Sequence, residues 1–212
     1  MDVEALKAEA GIAACRYVTS GMKVGLGTGS TVKYTILELG RRVRDEGLEI
    51  VGVPTSLATE QLAKEQGIKL CELDELDELD VVIDGTDEFD PGFQLIKGGG
   101  AALLREKVVA QSSAKMVVVA DDRKKVDCLG AFPLPIEVTP FSYGTTLQAI
   151  QETLGCKASI RQGENGHLVT DNGNFIIDAQ TGATISHPAQ TEGELLHIAG
   201  VVQVGLFTNM CD

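Results

Sequence analysis

The sequence has 212 residues, 43% hydrophobic and 23% charged, the length and balance of a soluble globular chain with one large or two small domains. Its 31 acidic and 18 basic residues leave a net charge of −13, which argues against nonspecific binding to nucleic acid or to an anionic membrane, so a phosphate would have to be met by locally clustered lysines. No stretch is long and apolar enough to span a bilayer, and the start, MDVEALKAEAG, lacks the basic-then-apolar pattern of a signal peptide. The five cysteines, Cys15, Cys71, Cys128, Cys156 and Cys211, are odd in number and form no CxxC pair. They read as reduced thiols of a cytoplasmic protein, with no disulfide framework or zinc site.

Residues 2–18 predict a helix capped by Asp2, with Val3, Leu6, Ala10, Ala13, Ala14 and Tyr17 sharing one face. A turn at Ser20-Gly21 leads to a strand over 23–26, the loop Gly27-Thr28-Gly29-Ser30-Thr31, and a helix over 32–44. Strand, glycine loop, helix is the arrangement that puts an anion on a helix N-terminus. GLGTGST is neither a Walker A loop nor a dinucleotide fingerprint, and the next strand, 50–53, ends in Pro54-Thr55-Ser56 without the ribose-binding acid. It is either a tight βα turn with hydroxyl caps or, the better reading, an anion site built on the hydroxyls of Thr28, Ser30 and Thr31. A helix over 57–66, a short strand over 68–70, and an acidic segment containing LDELDELD follow; the charge run reads as a solvated turn.

The central stretch is DGTDEFDPGFQLIKGGGAALLREK, from Asp84 to Lys107. The strand 81–84 runs into the turn Asp84-Gly85-Thr86-Asp87, where open α/β sheets place ligands. Lys97 then precedes Gly98, Gly99 and Gly100, whose backbone can approach a ligand closely and present N–H groups to an anion. Glu106 lies on a helix over 101–112, with Ala102, Leu103, Val109 and Ala110 at helical spacing around it. A carboxylate on such a stripe is partly desolvated, which moves it toward the range of a general base. The bland alternative is a surface glutamate paired with Arg105 or Lys107. DGTDEFD fails the EF-hand spacing. Strands over 81–84 and 116–120 are continuous apolar runs of the kind buried on both faces of a parallel sheet. The alternation predicts a doubly wound, mostly parallel, Rossmann-like domain over 1–129.

Beyond residue 127 the texture changes. FPLPIEV reads as a strand kept out of a sheet's centre by its prolines. A helix over 145–154, a strand over 157–161, and a hairpin of 168–170 and 174–178 joined by Asp171-Asn172-Gly173 follow. A helix over 192–199 and a strand over 201–207 complete a small α+β, ferredoxin-like domain over 130–202. Residues from about 203 to 212 return to the first domain.

DGTDEFD followed by KGGGAALLREK, with GLGTGST upstream and VADDRKKVD, FPLPIEV, VTDNGNFIID and GVVQVGLF downstream, closely resembles ribose-5-phosphate isomerase of the A type. That family usually continues for about a strand beyond a GLF-type motif, whereas this sequence stops at Asp212, a departure that bears on edge packing and stability. The resemblance implies a cytoplasmic aldose–ketose isomerase of the non-oxidative pentose phosphate pathway, acting through a cis-enediolate without cofactor or metal, as a homodimer or homotetramer. It makes Glu106 the base and Asp84 and Asp87 the paired acids, with Thr86 where alanine is common. Three neighbouring carboxylates should push at least one upward, giving an acid for ring opening. Lys97 would hold the enediolate oxygens and Gly98–Gly100 the sugar hydroxyls. The phosphate would be met by Thr28, Gly29, Ser30 and Thr31 with Lys7 and Lys124; Lys125 is adjacent, and the resemblance favours Lys124. His167, His187 and His197 lie away from every site motif. Two readings from other classes stay open: a coenzyme A transferase-like enzyme, and a noncatalytic sugar-phosphate sensor, although the chain has no basic DNA-reading segment.

Overall fold

The computed structural model describes Asp2–Cys211; Met1 and Asp212, the outer limits of the first domain read from sequence, lie outside it. Helix α1 (Val3–Ala14) starts at Asp2, whose carboxylate accepts from the Glu4 N–H at 3.0 Å. A short 3₁₀ turn, Cys15–Tyr17, continues it. Its buried positions are Gly11 and Ala14, whereas Ala13 and Tyr17 of the expected stripe are exposed. The face turned inward is the one that lets Gly11 accept the Thr35 hydroxyl at 2.9 Å.

In chain order there follow β1 (Lys23–Leu26), α2 (Val32–Glu46), β2 (Val51–Pro54), α3 (Leu57–Glu65), β3 (Lys69–Leu70) and β4 (Val81–Gly85). Next come β5 (Glu88–Phe89), β6 (Leu95–Ile96), α4 (Leu103–Gln111), β7 (Met116–Val119), β8 (Leu134–Val138) and α5 (Tyr143–Leu154). The chain ends with β9 (Ala158–Ile160), β10 (Gln162–Gly163), β11 (Gly166–His167), β12 (Phe175–Ala179), α6 (Pro188–Leu196), β13 (Val201–Val204) and β14 (Leu206–Phe207). Packing divides these elements into two compact units. The first comprises Met1–Gly85, Arg105–Asp122 and Met210–Asp212, and the second Thr86–Leu104 and Arg123–Asn209. Residues 86–104, 123–129 and 203–209, which the reading by chain texture places in domain 1–129 plus 203–212, group with the second unit.

The first unit is built on a sheet of order β3-β2-β1-β4-β7 with every neighbouring pair parallel. The chain winds outward from β1 to β3, then restarts at β4 on the other side of β1. The carboxyl ends of β1 and β4 therefore flank the topological switch point, where open α/β sheets bind ligands. Val24, Leu26, Val81 and Ile83 join Ile36 and Leu39 of α2 in one core. β4 is buried from Val81 to Asp84. β7 departs from the expected two-sided burial: it is an edge strand, and Val117 and Val118 are only half-buried.

The second unit contains an antiparallel sheet of order β13-β8-β12-β9. With α5 and α6, the sequence β8-α5-β9-β12-α6-β13 is the ferredoxin-like βαββαβ arrangement. Three local expectations are corrected. The proline-marked strand β8 is interior, paired on both sides. Its ladder with β13 stops at Ile136, and Pro135 there offers only its carbonyl, to Gly205 N–H at 2.8 Å. The missing N–H falls beyond the end of that ladder, where it costs no bond. Helix α6 begins at Pro188, a residue suited to a first helical turn, four residues before the expected start. The strand read over 201–207 is two strands: β13 belongs to the four-stranded sheet and β14 to a small antiparallel sheet of order β14-β6-β5.

Candidate active site

In the first unit the loop after β1 and the end of β4 meet. Asp84, 0% exposed, ends the apolar run of β4, and its Oδ1 accepts from the N–H groups of Gly85 at 2.7 Å and Thr28 at 3.0 Å. A Cβ on Gly27 would lie 2.2 Å from that same oxygen, so glycine is required there by the carboxylate. The Thr28 hydroxyl does not point outward. Its Oγ1 lies 2.7 Å from Thr55 Oγ1 and donates to Ser56 Oγ at 2.9 Å, with Thr59 Oγ1 at 3.2 Å. Thr55, Ser56 and Thr59 are all buried. Thr28 thus locks the loop to the start of α3, and its N–H serves Asp84. Gly29 and Ser30 are exposed and Thr31 half-buried at the N-terminus of α2, where the Thr31 side chain makes no capping hydrogen bond. That leaves Ser30 and Thr31 as the hydroxyls disposed for an anion.

Glu106 lies in the first turns of α4 and is 4% exposed; Ala102, Leu103, Val109 and Ala110 are buried as the stripe predicts. Burial rules out the surface-glutamate reading. Lys107, which the sequence offers only as a surface partner for Glu106, is 1% exposed. Lys7 is half-buried on α1 and donates to Glu4 at 2.8 Å. Glu4 also accepts from the Tyr34 hydroxyl at 2.8 Å. The bond from Lys7, and then that from Tyr34, holds the Glu4 carboxyl below its usual range.

In the second unit Lys97 leaves β6 with 2% exposure, its N–H donating to Gly205 carbonyl at 2.8 Å and its Nζ 5.3 Å from the Phe207 ring centroid. A cation over an aromatic face is attracted by the ring quadrupole. The glycine run that follows closes on Asp87: Gly99 N–H donates to Asp87 Oδ2 at 2.7 Å, and a Cβ on Gly99 would lie 2.5 Å from Oδ1. Gly98 is buried; Gly99 and Gly100 are exposed. Thr86 Oγ1 lies 2.6 Å from the Glu88 carbonyl and 2.9 Å from that of Ile96, so this hydroxyl secures the open end of the β5–β6 pair, where Glu88 faces Ile96. Lys124, in the 3₁₀ turn Asp122–Lys124, is half-buried, and Lys125 is exposed, which separates two lysines the sequence leaves adjacent.

Several second-unit residues escaped the sequence reading. The buried Glu88 carboxylate accepts from the N–H groups of Gly130, at 2.8 Å, and Phe132. Glu137, fully buried on β8, accepts through Oε1 from the Thr170 hydroxyl and Asn174 Nδ2, both at 2.9 Å, holding the 170–174 turn. Arg161 makes a two-pronged pair with Asp178, Nε to Oδ2 at 2.8 Å and Nη2 to Oδ1 at 2.6 Å. Its Nη1 donates to the carbonyls of Gly98 and Gly99. Each joins residues far apart in sequence, which only the tertiary fold brings together. Among the described residues no cluster of three or more His, Cys, Asp or Glu has the geometry of a metal site, and no helix is long and apolar enough to cross a membrane.

A family profile for ribose 5-phosphate isomerase A (phosphoriboisomerase A) matches residues 51–212. The ribose-5-phosphate isomerase A of Bacillus cereus is 53% identical over 205 residues, 97% of this chain and 92% of that protein. Among solved structures, ribose 5-phosphate isomerase A of Methanocaldococcus jannaschii is 41% identical, covering 98% of this chain and 92% of its own, with a TM-score of 0.93. A D-ribose-5-phosphate isomerase in complex with phospho-erythronic acid is also 41% identical, covering 100% and 93%, with a TM-score of 0.96. With the family profile matching residues 51–212 and a relative 53% identical over 97% of this chain, the chain belongs to the ribose 5-phosphate isomerase A family.

Proposed function

We propose that the protein interconverts D-ribose 5-phosphate and D-ribulose 5-phosphate through a cis-enediolate, with Glu106 as the base. The observation that carries this assignment is the burial of Glu106, 4% exposed on α4, directly after the glycine run. In the open-chain aldose, Glu106 takes the proton from C2, and the electron pair of that bond moves toward the C1 carbonyl oxygen. The oxygen that gains charge is held by Lys97, a cation already withdrawn from water and so strong toward a developing anion. The hydroxyl proton moves from O2 to O1, and Glu106 returns its proton to C1, giving the ketose.

Asp84 and Asp87, three residues apart along the chain, handle the oxygen protons and ring opening. Thr28 N–H and Gly99 N–H each fix one of these carboxylates. Gly85, Thr86, Gly98 and Gly100 supply backbone around the sugar. Gly29, Ser30 and Thr31 with Lys7 and Lys124 take the phosphate, and Lys7 exchanges its Glu4 partner for it. Phospho-erythronic acid, the compound bound in one similar isomerase, carries a planar carboxylate and a phosphate. That supports a site selecting an enediolate-like end and a phosphate end. No step requires a metal or a cofactor. A cytoplasmic homodimer or homotetramer belongs to the same reading; the exposed Phe141 and Val169 support association between copies, and light scattering measures it.

The test is turnover of ribose 5-phosphate followed by the absorbance of the ketopentose product. Rapid formation of ribulose 5-phosphate is expected. Tight binding of the sugar phosphate without any turnover would instead favour a sensor.

A further inference from the structure

The glycine run is pinned from outside itself. Arg161, one residue beyond β9, donates through Nη1 to the carbonyl oxygens of Gly98 at 2.9 Å and Gly99 at 3.1 Å. Its Nε and Nη2 grip both oxygens of Asp178 on β12. The two side chains are 15% and 20% exposed, so the pair is largely shielded. A planar guanidinium in a two-pronged pair has little freedom left. The third nitrogen is therefore aimed by the other two.

What it aims at matters because of peptide geometry. In a planar trans peptide the C=O and the N–H point in opposite directions. The peptide joining Gly98 to Gly99 carries Arg161 on its oxygen and Asp87 Oδ2 on its N–H, at 2.7 Å. One peptide is thus held between a cation and a carboxylate, and each charge polarises it toward the other. The next peptide has its oxygen, on Gly99, within reach of the same Nη1, which sets the direction of the Gly100 N–H. Gly98 has a φ of +111°, a state that glycine adopts without holding firmly, and Ala101 one of +59°, which is unfavourable for alanine and has to be held by its surroundings. The clamp supplies the firmness.

We propose that Arg161 is a positioning residue for the isomerisation: oriented by Asp178, it fixes the Gly98–Gly99 peptide and through it places the Asp87 carboxylate and the Gly100 N–H against the sugar. This rests on the reading in which Asp87 and the glycine run bind substrate. A merely structural ion pair would stabilise the second unit and leave turnover alone.

The experiment compares Arg161→Ala, Arg161→Lys, Asp178→Asn, Asp87→Asn and the Arg161→Ala/Asp87→Asn double variant, each checked for an unchanged melting transition. Misplacing a group by about 1 Å can cost about 100-fold in rate, and a kcat loss of about that size is expected for Arg161→Ala, with KM changing far less. Arg161→Lys keeps the charge but not the fork and stays impaired. Millimolar guanidinium restores part of the turnover of Arg161→Ala and none of that of Asp87→Asn. Because Arg161 acts largely through Asp87, the loss in the double variant falls well short of the product of the two single losses. If Arg161→Ala does not fold, Arg161→Lys and Asp178→Asn carry the same comparison. Wild-type kcat in folded Arg161 variants, or a double variant showing the product of both losses, overturns the positioning role while Asp87 keeps its own. Wild-type turnover by Asp87→Asn removes the underlying reading of Asp87 and the proposal with it.

Discussion

In the first unit the loop 27–31 is held by its neighbours in the sheet: Thr28 is bonded into hydroxyls at the end of β2 and the start of α3, and its N–H meets Asp84 at the end of the adjacent β4. In the second unit the run 98–100 is held by Arg161, more than sixty residues later in the chain. Both loops resemble phosphate cradles, yet each has a glycine whose missing side chain makes room for a carboxylate of the protein itself. Gly27 makes room for Asp84 and Gly99 for Asp87. Each loop both seats an aspartate and presents N–H groups, and the first explains Gly27 and Gly99 more directly than the second.

Filling both glycines separates the two loops most widely. Gly27→Ala and Gly99→Ala should each lower kcat by about 100-fold, because each Cβ displaces an aspartate by an ångström or more. They should differ in stability. Gly27 is buried and Gly99 exposed, so Gly27→Ala should cost about 1–3 kcal/mol in denaturant melts, as overpacking does, and Gly99→Ala far less. Equal stability losses would contradict the contrast.

A smaller effect separates the lysines of the 3₁₀ turn. Lys124→Ala should raise KM for the sugar phosphate about tenfold, the loss of one charge-assisted bond, and Lys125→Ala should leave it unchanged. Smaller still for catalysis, Thr28→Val removes a hydroxyl from the buried cluster while keeping the N–H that serves Asp84. It should cost about 1–3 kcal/mol of stability and leave KM near the wild-type value, whereas Ser30→Ala and Thr31→Ala raise KM at unchanged stability. The least effect concerns Cys15 in the first unit's core, whose thiol burial pushes from 9 up to about 12. It should resist thiol reagents at pH 8. A raised folded value makes its contribution to stability complete below pH 9 and lost as pH climbs toward 12, which alkaline melts of wild type and Cys15→Ala would show as a difference confined to that range.

The difference between the loops also decides what could be read in advance. Strand, loop and helix at 23–46, the turn at 84–87 and the glycine run are local patterns, and period and turn chemistry report them directly. Burial of Glu106 followed from the spacing of Ala102, Leu103, Val109 and Ala110. The Arg161–Asp178 clamp left no such trace, because a charged residue on a strand looks the same whether it faces water or a neighbouring carbonyl. The Glu88 carboxylate, bonded to N–H groups more than forty residues away, was invisible for the same reason. The interior place of β8 was misread because a proline forbids a central strand only where its absent N–H would face a partner, and that depends on where β13 ends. The sequence presents Thr28 as one more loop hydroxyl because it does not show that Thr55, Ser56 and Thr59 lie beneath it.

Whether Glu106 moves the proton between C2 and C1 without help from a metal is decided by interconversion of ribose 5-phosphate and ribulose 5-phosphate by wild type and Glu106→Gln, each with and without a chelator. Wild-type turnover untouched by chelation, with a loss of about 100- to 10,000-fold in the variant, is the predicted result. Substantial turnover by folded Glu106→Gln, or wild-type activity abolished by the chelator, would contradict it.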